Sequence, residues 1–184
     1  LVPEIALAMQ MEKRFQNRFG AENVAILHSK LTTSKRLENW LRIREGSAKV
    51  ILGARTAIFA PVTDLGLVVI DEEHESTYKS DHNPKYETMD VAYKRAGTFG
   101  ATVVLGSATP SVVSFYRASV GIYHLIELKN RVGKSRLPDV EIEDIRGQVA
   151  RGRNEMISLR LQEEMRYCLE KGEQVILFLN RRGY

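Results

Sequence analysis

The sequence predicts an α/β fold: a parallel sheet with helices on both faces. Three observations predict it. Short runs rich in Val, Ile and Leu (VAIL at 24–27, LVVI at 67–70, ATVVL at 101–105) read as strands covered on both faces. Segments with apolar residues at helical spacing lie between those runs. A helix between successive strands calls for βαβ crossovers, which make parallel pairs.

The elements follow in order. Ile5 to Phe19 carries apolar residues at helical spacing and meets Gly20, a residue that ends helices. Val24 to Leu27 is a short strand. Thr33 and Ser34 are positioned to cap a helix from Lys35 to Arg44, closed by Gly46. Lys49 to Gly53 and Leu67 to Ile70 read as strands, Glu87 to Phe99 as a helix, and Ala101 to Leu105 as a strand. Ser111 to Ser119 reads as a helix. Glu141 to Ile145 alternates as a half-exposed strand does. Ile157 to Lys171 reads as a helix, and Val175 to Leu179 as a buried strand. Cys168 shares a helical stripe with Ile157, Leu161, Met165 and Leu169, which makes it a core residue. A lone cysteine excludes an internal disulfide framework and a cysteine zinc cluster within the chain.

A net charge of +4 across 184 residues is mild. From His28 to Ile58, however, seven basic residues face two acids. Such a cluster suits phosphates, or is simply a solvated helix face. No apolar run approaches the ~20 residues of a membrane span. Charge also marks a boundary. KNRVGKSR at 129–136 holds four bases and no acid, whereas 137–145 holds four acids and no base. The expected organisation is therefore one domain over 1–128, a linker over 129–138, and the beginning of a second domain over 139–184. The chain opens without Met and reads as a piece of a longer protein.

The chemistry concentrates at LGLVVIDEEHE, 65–75. An apolar strand ends in three carboxylates and an imidazole. In open parallel sheets ligands sit beyond the C-terminal strand ends. Asp71 suits Mg²⁺, which takes few protein carboxylates beside phosphate oxygens and water. Glu72 suits the orientation and deprotonation of an attacking water. Glu73 and His74 would carry the state of the phosphate onward. The competing reading is a solvated acidic turn. A second strand end, Gly106-Ser107-Ala108-Thr109-Pro110, supplies small hydroxyls to bond the carboxylates of Asp71 or Glu73, or to cap the next helix, or both.

DEEH followed by SAT resembles motifs II and III of superfamily 2 helicases. LVPEIAL (1–7), GARTAIFAP (53–61), VVIDEEHESTYK (68–79), VLGSATPS (104–111) and FLNRRGY (178–184) together resemble the PriA family of bacterial replication-restart helicases, also called primosomal protein N′. The resemblance implies two RecA-like (P-loop NTPase) lobes sandwiching ATP and Mg²⁺, driving 3′-to-5′ movement on DNA. It implies that Asp71 and Glu72 are the metal and catalytic positions, with Glu73 and His74 beside them. It implies that Ser107, Ala108 and Thr109 couple hydrolysis to movement. It implies that Pro3 and Glu4, and Gly53, Arg55 and Thr56, line the single-strand track. Tyr78, Lys79, His82, Lys85 and Tyr86 fall in a region resembling the aromatic-rich, DNA-sensing loop of RecQ helicases. There Tyr78 and Tyr86 either stack on bases or pack the loop onto the domain. Met89 stands where the family pattern places an Arg.

The implied partners are single-stranded and forked DNA, primosome proteins and single-strand binding protein, in a bacterial cytoplasm near the nucleoid and away from membranes. The phosphate cradle G-x-x-x-x-G-K-[ST] does not occur. Gly133-Lys134-Ser135 lacks its first glycine, since position 128 is Leu, and it lies after motif II. The first strand and P-loop of lobe 1 are therefore expected upstream of Leu1, leaving a sheet edge open to self-association. The arginine finger and a zinc-binding insert are expected beyond Tyr184. By itself the chain is expected to hydrolyse ATP negligibly. The alternatives are another superfamily 2 DNA translocase, or a non-catalytic DNA-binding module.

Overall fold

The computed structural model describes residues 1–130, 138–144, 146 and 157–178. The chain forms two compact units, Leu1–Glu127 and Leu128–Tyr184.

In the first unit α1 (Ile5–Phe19) stops at Gly20, whose φ of 88° suits only glycine. β1 (Val24–Leu27) follows a 3₁₀ turn. α2 (Thr33–Arg44) is capped by Thr32, whose hydroxyl accepts from the Lys35 N–H at 3.3 Å. The expected caps, Thr33 and Ser34, lie inside the helix instead, one and two residues past the cap. β2 (Val50–Gly53) leads into a 3₁₀ turn, Arg55–Phe59. β3 (Leu67–Ile70), α3 (Thr88–Phe99), β4 (Thr102–Leu105) and α4 (Val112–Ser119) complete the unit.

β1 pairs in parallel with β2, Val24 opposite Val50, and β3 with β4, Leu67 opposite Thr102. The two pairs are separate ladders. Leu1 and Val2 run between them: the Val2 N–H donates to Gly53 O at 3.0 Å, the Asp71 N–H to Leu1 O at 3.0 Å, and the Leu1 nitrogen to Val69 O at 2.6 Å. A cleft of about 680 Å³ separates the ladders, lined by Val50, Ile51, Leu52, Leu67, Val68 and Val69 among others. The open sides of β2 and β3 therefore face one another across an apolar cleft.

Cover on both faces holds for the first ladder. Ala25 and Leu27 pack with Ile43 and Ala48 on one side, while Ile26 and Leu52 pack with Ala8 of α1 on the other. In the second ladder Val68 and Ile70 pack with Tyr78 and Ala92. The opposite residues, Leu67 and Val69, are 56% and 44% exposed.

In the second unit α5 (Leu159–Glu170) is capped by Ser158, whose hydroxyl accepts from the Leu161 N–H at 3.1 Å. Two expectations fail here. Glu141 to Asp144 form no strand, and Ile145 lies outside the described residues. Val175 to Phe178 form no buried strand: Ile176 and Phe178 are almost fully exposed, and Leu179 lies outside the described residues. A strand exists only by pairing, and no described residues flank these segments as partners. The stripe on α5 is likewise uncovered, with Leu161 and Leu169 exposed and Cys168 half-buried. The linker expected over 129–138 falls mostly outside the described residues, as do Gly133, Lys134, Ser135 and the segment 179–184. Among the described residues no helix is long and apolar enough to cross a membrane.

Candidate active site

Parallel strands place their C-terminal ends on one side, and the motif residues gather there. Ile70, with no exposure at all, anchors the end of β3, and Asp71 and Glu72 emerge half-buried just beyond it. One Asp71 carboxylate oxygen accepts from the Glu72 N–H at 3.2 Å. Glu72 has φ 48°, the sole positive φ outside glycine among the described residues. That left-handed backbone costs a non-glycine residue roughly 1–2 kcal/mol, so the surroundings must hold it.

They hold it from both flanks. Upstream, the Tyr78 hydroxyl donates to Asp71 O at 2.7 Å, and the Thr88 hydroxyl donates to Tyr78 O at 2.7 Å. Downstream, the Glu73 N–H donates to Gly106 O at 3.0 Å, while the Gly106 N–H donates to Ile70 O at 2.8 Å. The two strand ends are thus stitched together at the backbone. Burial, and then the charges of Asp71, Glu72 and Glu75, push the Tyr78 phenol well above its ordinary pKa.

Side chains stitch them again. His74 Nδ1 lies 2.7 Å from Ser107 Oγ and 3.6 Å from Glu72 Oε2, and Nε2 lies 3.5 Å from Thr109 Oγ1. Ser107 Oγ also accepts from the Thr109 N–H at 3.0 Å. Ser107 and Thr109 therefore meet the imidazole and not, as expected, the carboxylates of Asp71 or Glu73. Ala108 between them is exposed. Glu73 is 2% exposed and turns its carboxylate to the start of α4, where Oε1 accepts from the Ser111 N–H at 2.6 Å and Oε2 from Ser114 Oγ at 3.0 Å. Glu73 is thus turned inward to the start of α4 rather than outward beside Asp71 and Glu72. Ser111 starts α4 as expected; its role beside Ser114 as a carboxylate holder was missed. An S-x-x-S spacing at a helix start is the signal that could have found it.

The residues expected on the DNA track also assemble at this end. Val2 bonds Gly53 O, which brings Pro3 and the exposed Glu4 beside the turn that carries Arg55 and Thr56. Gly53 has a packing reason as well: a Cβ there would lie 2.2 Å from Leu27 O. The Arg55 guanidinium donates to Thr77 O at 3.2 Å and to Lys79 O, and lies 5.8 Å from the Tyr86 ring centre. It therefore fastens the loop after the carboxylates. Tyr86 is half-buried and packs edge-on against Phe59 at 4.9 Å. Lys79, His82 and Lys85 are exposed, and Lys79 pairs with Glu87 at 3.4 Å.

Tyr78 is 1% exposed and offers no ring face to a base; the packing alternative describes it. Met89 packs against the Ile70–Tyr78 cluster, so an apolar contact stands where the family pattern places a charge. The basic stretch from 28 to 58 is partly structural. Arg42 donates to Glu22 O at 2.6 Å and to Val24 O at 3.3 Å, and Lys35 pairs with Glu38. Sequence reading also missed Arg95, which donates to Ile58 O and, at 2.9 Å, to Ala60 O, holding the Arg55–Phe59 turn from α3. Burial lowers its pKa.

Among the described residues no three His, Cys, Asp or Glu cluster around a metal position. Mg²⁺ bound largely through phosphate oxygens and water asks for one or two carboxylates, and Asp71 at the strand end fits that demand. The ion would supply charge neutralisation of the phosphates there.

A parallel α/β unit with an Asp-Glu pair at one strand end, clasped to a hydroxyl-rich turn at the next, is the architecture of a RecA-like helicase domain. The DEAD/DEAH box helicase family matches residues 1–116, and the chain belongs to that family. It is similar along its whole length to curated proteins named replication restart protein PriA. One from Bacillus subtilis is 46% identical over 184 residues, one from Treponema pallidum 44%, and one from Rickettsia felis 42% over 185 residues. The chain spans only 23%, 27% and 28% of those relatives, respectively.

Proposed function

We propose that this chain is part of the motor core of an ATP-dependent 3′-to-5′ DNA helicase acting in replication restart and primosome assembly. In this reading 1–128 belongs to the first RecA-like lobe, 129–138 is the linker, and 139–184 begins the second lobe. Asp71 holds Mg²⁺ with ATP, and Glu72 takes the proton of the attacking water. His74 passes the state of the site to Ser107 and Thr109. Pro3, Glu4, Gly53, Arg55 and Thr56 follow the backbone of single-stranded DNA, joined by Lys79, Lys85 and Tyr86 from the loop. The observation that carries the reading is the Glu72 turn, left-handed at the strand end and tied through His74 to Ser107.

Single-stranded and forked DNA, primosome proteins and single-strand binding protein are the proposed partners of the full-length protein, in the bacterial cytoplasm at the nucleoid. Its zinc insert and P-loop are proposed to lie outside these residues, so the chain alone turns over ATP negligibly. The test is ATP hydrolysis by the full-length protein with and without single-stranded DNA, wild type beside Glu72→Gln. Loss of a general base or water-orienting group lowers turnover by about 10²–10⁴-fold. The expected result is DNA-stimulated turnover that Glu72→Gln abolishes while ATP still binds. DNA binding with no DNA-dependent turnover in the wild type would instead make this a binding module.

A further inference from the structure

Glu73 poses a physical problem that the proposed chemistry leaves unanswered. A carboxylate buried to 2% exposure loses most of its hydration, at a penalty of several kcal/mol. No Lys or Arg forms an ion pair with it among the described residues. Its compensation comes from α4 alone. The Ser111 N–H donates to Oε1 at 2.6 Å, and the Ser114 hydroxyl donates to Oε2 at 3.0 Å. Ser111 Oγ lies 3.2 Å from the same Oε2 and 3.0 Å from Ser114 Oγ, and its single proton serves one of the two. Ser111 Oγ also accepts from the Ser114 N–H at 3.2 Å, capping the helix. Every partner is a donor at a helix N-terminus, where negative charge is favoured.

Glu73 directly follows Glu72, and its own N–H is committed to Gly106 O. Its backbone and side chain are therefore both fixed. The peptide after the left-handed Glu72 cannot turn without breaking those bonds or moving α4. His74 grips residues 107 and 109 separately, so α4 has its own connection to the turn.

We propose that Glu73, Ser111 and Ser114 form a positioning clamp that sets the direction of the Glu72 carboxylate and ties it to helix α4. The clamp rests on the reading of Glu72 as the hydrolytic group. Ser111 and Ser114 touch no nucleotide; they act through Glu73, and Glu73 through the backbone of Glu72.

The experiment measures kcat and KM for ATP in the full-length protein with saturating single-stranded DNA. The variants are Ser114→Ala, Glu73→Gln, Glu73→Ala and the double variant Glu73→Ala/Ser114→Ala, each with its melting temperature. A clamp lowers kcat about tenfold or more in Glu73→Ala and less in Ser114→Ala, with KM for ATP within about twofold. The double variant falls no further than Glu73→Ala, because both changes remove one coupled unit. Glu73→Gln recovers part of the loss, since its carbonyl oxygen still accepts from the Ser111 N–H. A wild-type kcat in folded Glu73→Ala, or multiplicative losses in the double variant, overturns the clamp alone. A wild-type protein without DNA-dependent turnover overturns the clamp together with the reading beneath it.

Discussion

The two parallel ladders are built from similar sequences and serve different ends. β1 (VAIL) is buried at all four positions, between α1 on one face and the α2 side on the other. β3 (LVVI) alternates exposed and buried, with α3 and Tyr78 covering one face. The ladder that is packed on both sides ends in ordinary turns. The ladder that is packed on one side ends in the strained Glu72 turn and its stitching. Rigidity at the site therefore comes from hydrogen bonds around the strand end more than from a sandwiched strand.

This difference sets the largest stability effect expected in the chain itself. Ile26→Ala removes a side chain 5% exposed and leaves a cavity between β1 and α1. It should lower unfolding stability by about 2–5 kcal/mol. Val69→Ala, at a position 44% exposed, should cost less than about 1 kcal/mol. Urea unfolding of the two variants beside the wild type measures both. Equal losses would mean that the open face of β3 is covered in solution, and the contrast between the ladders would collapse.

Much of this contrast was hidden in the sequence for a physical reason. VAIL and LVVI carry the same burial signal, because composition reports what a strand tolerates and not what lies against it. The strands and helices of the first unit were legible from periodicity and caps, to within a residue or two. Asp71, Glu72 and Ser107 were legible as neighbours because strand ends in parallel sheets converge. The directions of the side chains were not. Glu73 and His74 are neighbours in sequence but grip different segments, one α4 and the other the Ser107 turn. Tyr78 suited either stacking on bases or packing inward, and the bonds to Asp71 and from Thr88 hold it inward. In the second unit, Val175 to Phe178 had a strand's composition but no described partner strand.

Tyr78 carries the next largest effect. Tyr78→Phe keeps the ring and removes the bond to Asp71 O, so it should cost about 1 kcal/mol at neutral pH. The pH dependence adds a second signature. The folded phenol titrates above its ordinary value of 10.0, so the native state keeps its proton after the unfolded chain has lost it. The unfolded state then binds fewer protons, and stability falls as pH rises above about 10. The contribution is complete below that pH and shrinks through the alkaline range. Phe has no such proton, so the gap between wild type and variant should narrow from pH 10 upward. Tyr93 is also raised, by burial and by the Tyr123 hydroxyl, and contributes equally to both curves. A gap that stays constant across that range would mean that the phenol is not buried beside the carboxylates of Asp71, Glu72 and Glu75 in solution, and the upstream flank of the Glu72 turn would lose its anchor.

The smallest effect makes the sharpest comparison between the ladders. α2 follows β1 and α4 follows β4, and each begins with the same cap. Thr32 Oγ1 accepts from the N–H three residues on at 3.3 Å, and Ser111 Oγ does so at 3.2 Å. The local chemistry is the same, but only Ser111 has a buried carboxylate above it. Thr32→Ala should therefore cost about 0.5–1 kcal/mol of stability and leave unchanged the DNA-stimulated ATP turnover proposed for the full-length protein. Ser111→Ala should cost a similar amount in stability and lower turnover modestly as well, because its hydroxyl also lies 3.2 Å from Glu73 Oε2, although the Ser111 N–H still donates to Oε1. Two caps with matched stability losses and unmatched turnover would assign the difference to what Ser111 holds. Matched turnover would mean that the Ser111 hydroxyl is dispensable to the site, leaving the Ser111 N–H and the Ser114 hydroxyl as the hold on Glu73.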